Sequence, residues 1–503
     1  MSERVLPEGW GITKLGALTS FQGGKTPSKS NALFWDGGSI RWASPKDMKS
    51  PIIKDTIDKI TESALVKAGM KLYPSGSILL VTRSGILRHS FPVAIADGEL
   101  TVNQDVKVIE PISGLMSPYL AYYLRTSSQE ILNTCSKAGT TVNSIDVGSL
   151  ERFNVPIASL KEQGAIVCKL DELLAQVNNL KTRLDTMPAT LKRFRKSVLA
   201  AAVSGKLTRD FSSDDSIYYQ EIEEEVQADT KLSKVALLSA DEIELAKALH
   251  GDVDWRRWRV YPLSQLVDSS RGIPYGIVQT GDHDEDGIPV IRCGDVEALK
   301  ISPGELKKVL PSISESYSRT LLRGGEVVLA IRGSVGNATV VPEAMKGNNI
   351  SREVALIPVI DKVDARYIAL VLQSPGGYRC LAEKVKGVAQ KGINLSDVRR
   401  FVTPLPTLQE QQEIVRRVDQ LFAFADQIEQ QVKNAQARAN KLTQSILAKA
   451  FRGDLTAEWR AANPELISGE NSAEALLERI KAEKTNQKPV AKQRKQDAVG
   501  TAG

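Results

Sequence analysis

A catalytic reading needs nucleophiles, general bases or metal ligands at workable spacing, and this sequence offers few. His89, His250 and His283 stand alone, and each reads as a surface or polar-contact residue. Cys135, Cys168, Cys293 and Cys380 are too scattered for a zinc site or a redox CxxC, and too few for a disulfide framework. The HDED run at 283–286 lies between Gly281 and Gly287 and reads as a solvated turn. The stretch SFQGGKTP resembles a phosphate loop, but Thr19 stands where its first glycine is required and Pro27 where a helix should begin. No GxSxG, HExxH or Asn/Asp-Pro-Pro-aromatic pattern occurs, and no Asp/Glu–Lys nuclease cluster at the usual spacing. The chain therefore reads as a binder without catalysis or a metal of its own.

Its binding chemistry lies in loops that mix cations, amides and glycine. In the first half these loops carry Gln22, Lys25 and Ser28, then Lys46, Arg83, Arg88 and Lys137. In the second half they carry Arg271, Tyr275 and Gln279, then Arg292, Arg332, Lys386, Gln390 and Lys391. Arginine and lysine contact phosphate or guanine edges, Gln and Asn pair with adenine, and glycine lets backbone approach closely. Arg83 and Arg332 occupy similar places, each after a strand and before a Ser/Gly turn. The competing reading of these loops is structural, with glycines shaping hairpins and each arginine paired to a nearby carboxylate.

Something must position those loops, and the sequence is written twice. Phe153–Leu174 maps onto Phe401–Phe422 with 9 of 22 residues identical, at a constant offset of 248. Ser197–Thr208 maps onto Ser445–Thr456 with 7 of 12 identical, and Trp10 and Tyr119 map onto Trp258 and Tyr367. One offset held at both ends of a unit marks a tandem duplication. The chain has 503 residues, 42% of them apolar, room for two to four domains, and no apolar run that would span a membrane. The opening residues lack a signal-peptide core, so a cytoplasmic protein is expected. The net charge of +6 is an average: residues 210–254 hold 13 acidic and 3 basic residues, a net −10, which leaves +16 elsewhere. That acidic segment reads as a solvated linker with one or two short helices.

Within each repeat, short apolar runs broken by Gly and Pro predict a mixed sheet, with helices at 117–132 and 364–385. A helical part follows. Ile166, Leu170, Leu173, Val177, Leu180, Leu184, Met187, Leu191, Phe194 and Val198 alternate at spacings of four and three. The same register gives Ile414, Val418, Leu421, Ala425, Ile428, Val432, Ala435, Ala439, Leu442 and Ile446. A stripe this long predicts a coiled-coil seam between two antiparallel helices, about 50 Å from first to last position at 1.5 Å per residue. Pro188 predicts a kink or break, Gly205 and Gly453 mark helix ends, and Ser472 is the N-cap of a further helix before a basic, disordered tail. The expected fold is α+β, with two mixed α/β domains at opposite ends of a helical spacer and an internal pseudo-twofold.

The chain resembles the specificity subunit of type I restriction–modification systems. The resemblance rests on the LPEGW start (Leu6–Trp10), the GSILLVTRSG and GEVVLAIRGSVG hairpins, and P-x-x-x-L-x-E-Q at Pro156–Gln163 and Pro404–Gln411. It rests equally on S-[VI]-L-A-x-A-x-x-G-x-L-T at Ser197–Thr208 and Ser445–Thr456. It implies target recognition domains at 1–155 and 255–403, helical spacers at 156–209 and 404–460, the acidic linker at 210–254, and a C-terminal helix and tail at 461–503. It also implies double-stranded DNA as a partner, read as a split, asymmetric sequence. Two modification subunits would supply S-adenosylmethionine and adenine N6-methylation, and restriction subunits would bring ATP and magnesium; no cofactor is expected on this chain. Half-sites one turn apart lie about 34–36 Å from centre to centre, a distance that such a spacer can bridge. The alternatives are a stand-alone, pseudo-dimeric DNA-binding regulator and an enzyme whose site escapes pattern matching.

Overall fold

The computed structural model describes residues 6–111, 114–137, 143–211, 216–229, 238–302, 304–385 and 392–487. It has two compact units: Met1–Leu184 with Asn434–Gly503, and Asp185–Lys433. Both boundaries fall inside long helices, Leu160–Val203 and Leu408–Ala450, of 44 and 43 residues.

In the first unit the apolar run Ile78–Val81 is the middle strand of a five-stranded sheet, fully buried as a run with no polar face must be. Val106–Pro111 and Val93–Ala96 flank it antiparallel. A second, three-stranded sheet pairs Ile40–Ala43 antiparallel with Asp58–Ile60 and parallel with Thr101–Val102. The second unit repeats this plan. Val327–Ala330, also wholly buried, lies between Ala338–Val340 and Val354–Ile357, and Ile288–Ile291 between Lys307–Val309 and Asn349–Ile350. The register is shared: Gly11 faces Ile157 as Arg259 faces Leu405, both at the offset of 248. Each expected domain helix is two helices, Ser117–Thr126 with Ser128–Cys135 and Ala365–Gln373 with Pro375–Glu383.

Each unit also holds one half of an antiparallel helix pair. In the first, Ile166, Leu170 and Val177 share a core with Ala439, Ile446 and Ala450, and Lys181 Nζ donates to Thr443 Oγ1 at 3.1 Å. In the second, Val198 and Ala202 pack with Ile414 and Val418, and Arg195 reaches Asp426 at 2.5 Å and Glu429 at 3.0 Å. Early residues of one helix thus meet late residues of the other. The seam is narrower than the alternating spacing predicts. Leu170, Val177, Leu191 and Val198 are buried, as are Val418, Ala425, Val432, Ala439 and Ile446, one position in each heptad; Leu184, in the same line, is half-buried. In the other line Ile166 and Ile414 are buried near the helix starts, but Leu173, Met187, Phe194, Leu421, Ile428 and Ala435 are half-buried, and Leu180 and Leu442 are 44% and 46% exposed. Pro188 does not break its helix: it sits on the exposed face, where water can satisfy the carbonyl it leaves unpaired.

What fastens each helix pair to its sheet domain is a buried carboxylate. Glu162, wholly buried, accepts from Trp10 Nε1 at 2.9 Å, Thr456 Oγ1 at 2.6 Å and Arg460 Nη1 at 2.6 Å. Glu410 accepts from Trp258 Nε1 at 3.1 Å, Thr208 Oγ1 at 2.6 Å and the Arg257 guanidinium. Gln163 donates to the Ala158 carbonyl at 3.0 Å and accepts from the Met116 amide at 3.0 Å. Gln411 does the same with Pro406 and Asp364, at 2.8 Å each. Tyr119 and Tyr367 donate to the Pro156 and Pro404 carbonyls at 2.8 and 2.7 Å, and burial drives both phenols well above their ordinary range. Gly205 and Gly453, at φ +75° and +80°, turn the chain so that the threonine three residues on can reach its glutamate.

The acidic segment is not a solvated linker. Its two helices, Ser216–Ala228 and Ala240–His250, pack on the second unit, with Tyr219, Ile222, Ala246 and His250 buried. Tyr219 donates to the Leu405 carbonyl at 3.0 Å, and Glu223, Glu221 and Glu242 pair with Arg259, Lys362 and Arg400. Arg400 holds the Glu242 carboxyl down to about 2. Part of the segment's negative charge is therefore met by cations of the adjoining domain. In the first unit the matching cover comes from the C-terminal helix, Ala473–Gln487, whose Ala473, Leu476 and Ile480 are buried in that core. Ser472 begins it as expected, accepting from the Ala475 amide at 3.1 Å. The basic tail lies outside the described residues.

Candidate nucleic-acid interface

The two sheets of each domain meet at a point fixed by glycine. A Cβ on Gly24 would lie 1.8 Å from the Val102 carbonyl oxygen, and one on Gly276 would lie 1.9 Å from that of Ile350, so only glycine lets these strands close. These glycines serve the fold itself. Beside each crossing the chain reverses through a β-bridge carrying an exposed arginine: Arg83 against Ser144, and Arg332 against Gly392.

In the second unit this corner opens into a cleft of about 820 Å³ lined by Tyr275, Val278, Arg332, Arg352, Glu353 and Asn394, among others. Tyr275 is 49% exposed, which presents an aromatic face beside two exposed guanidiniums. Neither Arg332 nor Arg352 has a side-chain partner among the described residues, whereas Glu353 accepts from the Cys293 thiol at 3.1 Å. The thiol is pushed up by burial and by that carboxylate. Unpaired cations, an amide and an exposed ring are the groups that grip phosphate and base edges. Two expected residues, Tyr275 and Arg332, are brought together here, with Gln279 exposed on the segment that follows Val278. Arg352 escaped sequence reasoning because no glycine or turn signal marks SREV.

The corresponding corner of the first unit holds Lys25, Thr26, Arg83 and Gln104. Lys25 and Ile277 make the same backbone bond, to Val102 and Ile350. Lys25, Ser28, Lys46, Arg83 and Arg88 are all exposed. Other candidates are engaged locally. Gln22 is half-buried, donating to Glu110 at 3.0 Å and accepting from Lys71. Lys137 pairs with Asp146 at 2.8 Å and, with Ser149, holds that carboxyl down to about 2. Arg292 folds back on Asp295 at 3.3 Å. Arg271 is a structural residue: only 6% exposed, it pairs with Glu326 at 2.7 Å and donates to the Arg319 and Leu321 carbonyls. No nucleic acid can reach it there. Lys386, Gln390 and Lys391 lie outside the described residues. Among the described residues no metal-binding cluster occurs, and no helix is long and apolar enough to cross a membrane.

This repeated pair of mixed domains and antiparallel helices belongs to a defined family. Residues 7–187 and 256–436 each match the type I restriction modification DNA specificity domain, and the chain is a member of that family. It is therefore a specificity subunit, the non-catalytic, sequence-recognising component of such systems. It is 39% identical over 384 residues to the EcoBI specificity subunit of Escherichia coli, covering 76% of this chain and 75% of that one. It is 34% identical over 510 residues to the EcoKI specificity subunit of Escherichia coli strain K12, covering 96% and 97%. The HsdS subunit from Thermoanaerobacter tengcongensis shares the fold, with TM-score 0.54 at 19% identity over 90% of this chain and 99% of that one. A chain from a study of the assembly and conformational transition of a type I system gives TM-score 0.58 at 18% identity, with the same coverage. These relatives do not favour a stand-alone regulator.

Proposed function

We propose that this chain reads a bipartite, asymmetric DNA target, one half-site per mixed domain, and that the corners carrying Arg83 and Arg332 face the duplex. The observation that carries this reading is the repeated corner itself. The two corners share backbone register and an exposed arginine, yet differ in lining, as two readers of different sequences would. Exposed Lys25, Ser28, Lys46 and Arg88 in the first domain, and Tyr275 and Gln279 in the second, would add further contacts to the duplex.

Adenine N6-methylation would belong to two modification subunits carrying S-adenosylmethionine, which would also extract the target base from the stack. Restriction subunits would add ATP- and magnesium-dependent cleavage. Exposed apolar side chains on the long helices, Leu180 and Leu442 in the first unit and Phe424 in the second, at 44, 46 and 56% exposure, support partner docking on them. The assembly would act in the cytoplasm.

Methylation-aware sequencing of a host carrying this chain and its modification partner tests the reading. A bipartite adenine mark is expected, and exchanging residues 255–403 for those of a relative should change one half of it only. Absence of a bipartite mark, or a mark indifferent to the exchange, would overturn it.

A further inference from the structure

Because the two domains share a register, their side chains can be matched place by place. The Asn103 amide donates to the Ala43 carbonyl as the Ser351 amide donates to that of Ile291, both at 2.9 Å. Val81 faces Val106 as Ala330 faces Val354. Gln104 and Arg352 therefore occupy the same position, each the second residue after one strand and the second before the next, and each is exposed. Their neighbours match in kind: Asp105 with Glu353, and Arg83 with Arg332. At this corner the acidic residue and the arginine are shared, and among the positions that differ this one carries glutamine in one copy and arginine in the other.

We infer that Gln104 and Arg352 are the side chains that make the two half-sites differ at one equivalent base pair, an inference that rests on the DNA-reading role proposed above. An arginine offers a rigid fork of donors, which matches the O6 and N7 acceptors of guanine. A carboxamide offers a donor and an acceptor, which match N7 and N6 of adenine. Thr26 Oγ1 donates to Gln104 Oε1 at 2.5 Å and Gln104 Nε2 reaches Asp105 at 3.4 Å. Those contacts hold the amide and leave it one lone pair and one N–H, the set an adenine edge requires. Arg352, lining the open cleft beside Tyr275, has its whole donor fork free among the described residues. The first half-site then carries adenine where the second carries guanine.

The test is the assembled methylation complex with Arg352→Gln and, separately, Gln104→Arg, read by methylation-aware sequencing. Arg352→Gln should move one position of the second half-site from guanine to adenine, with preference changing about 5- to 150-fold and the first half-site untouched. Gln104→Arg should do the converse in the first. Where a variant leaves no mark, selection of bound duplexes from a library randomised in that half-site gives the same readout: one altered position supports the inference, and an unchanged or featureless selection overturns it. Marks identical to the parent for both variants also overturn it. A parent complex that leaves no bipartite mark would instead sink the DNA-reading role, so the two failures are distinguishable.

Discussion

Replacing Arg460 by alanine would strip Glu162 of its only formal positive partner among the described residues. The arginine side chain is 14% exposed and the glutamate 0%, so neither charge is screened by bulk water. Three bonds vanish together, to Glu162 at 2.6 Å, Thr456 at 3.0 Å and the Gly453 carbonyl at 2.8 Å. Trp10 and Thr456 still donate to Glu162, but a buried carboxylate deprived of its cation costs roughly 3–5 kcal/mol. Total stabilities are about 5–15 kcal/mol, so this is a large share of what holds the first unit together. Native-state hydrogen exchange can read each unit separately. Amides of Ile78–Val81 should exchange roughly 150- to 5,000-fold faster, while those of Val327–Ala330 stay as they were. Arg257→Ala should reverse the pattern by exposing Glu410's charge in the second unit. The double variant Glu162→Gln with Arg460→Met should recover much of the loss, because no orphan charge remains. An Arg460→Ala protein that loses less than about 0.5 kcal/mol, or loosens both units equally, would refute a buried clasp specific to the first.

Three further outcomes follow from the same contacts. Burial holds His250 down to about 4, while in an unfolded chain it titrates near 6.5; the second unit should keep its full stability above pH 6.5 and lose up to roughly 3 kcal/mol as pH falls to 4. Melting of the parent and His250→Gln across that range checks this, and equal losses would refute it. Arg332→Ala should leave the melting temperature unchanged and weaken DNA binding by about 1–3 kcal/mol or lower its salt slope by about one, whereas Arg271→Ala should destabilise the second unit by roughly 3–5 kcal/mol. Paired melting and salt-titrated binding would separate the two, and a structurally silent Arg271→Ala would contradict its burial. Tyr219→Ala should cost about 3–5 kcal/mol and make Ser216–Ala228 a preferred site of limited proteolysis, and unchanged cleavage would return that helix to the status of a loose linker.

The duplication, the sheet strands and the long helices were legible because each is a local or periodic signal. GSILLV reads as a buried strand without knowledge of its neighbours, and one offset holds over both repeats. The clasp was not legible, since Trp10, Glu162 and Thr456 meet only through folding, with 152 and 294 residues between partners. Arg271 looked like a binding residue because a loop cation reads the same whether exposed or buried, and its partner Glu326 stands 55 residues away. The linker misled for the same reason: acidity was visible in its composition, whereas Arg259, Lys362 and Arg400, which meet part of it, lie beyond its ends.

The C-terminal helix that covers the first unit sets an order of completion during synthesis. Residues 185–433 form one uninterrupted stretch, and the second unit has all of its parts once they have left the ribosome. The first unit has not, because Thr456, Arg460, Leu476 and Ile480 are still to come. At about 5–20 residues per second, the interval between Leu184 and Asn434 lasts roughly 10–50 s. Through that time Glu162 has neither Thr456 nor Arg460, and the sheet domain beside it lacks part of its cover. The half of the molecule that begins first is the half that closes last, so a nascent chain passes through a stage with one finished reading domain and one waiting.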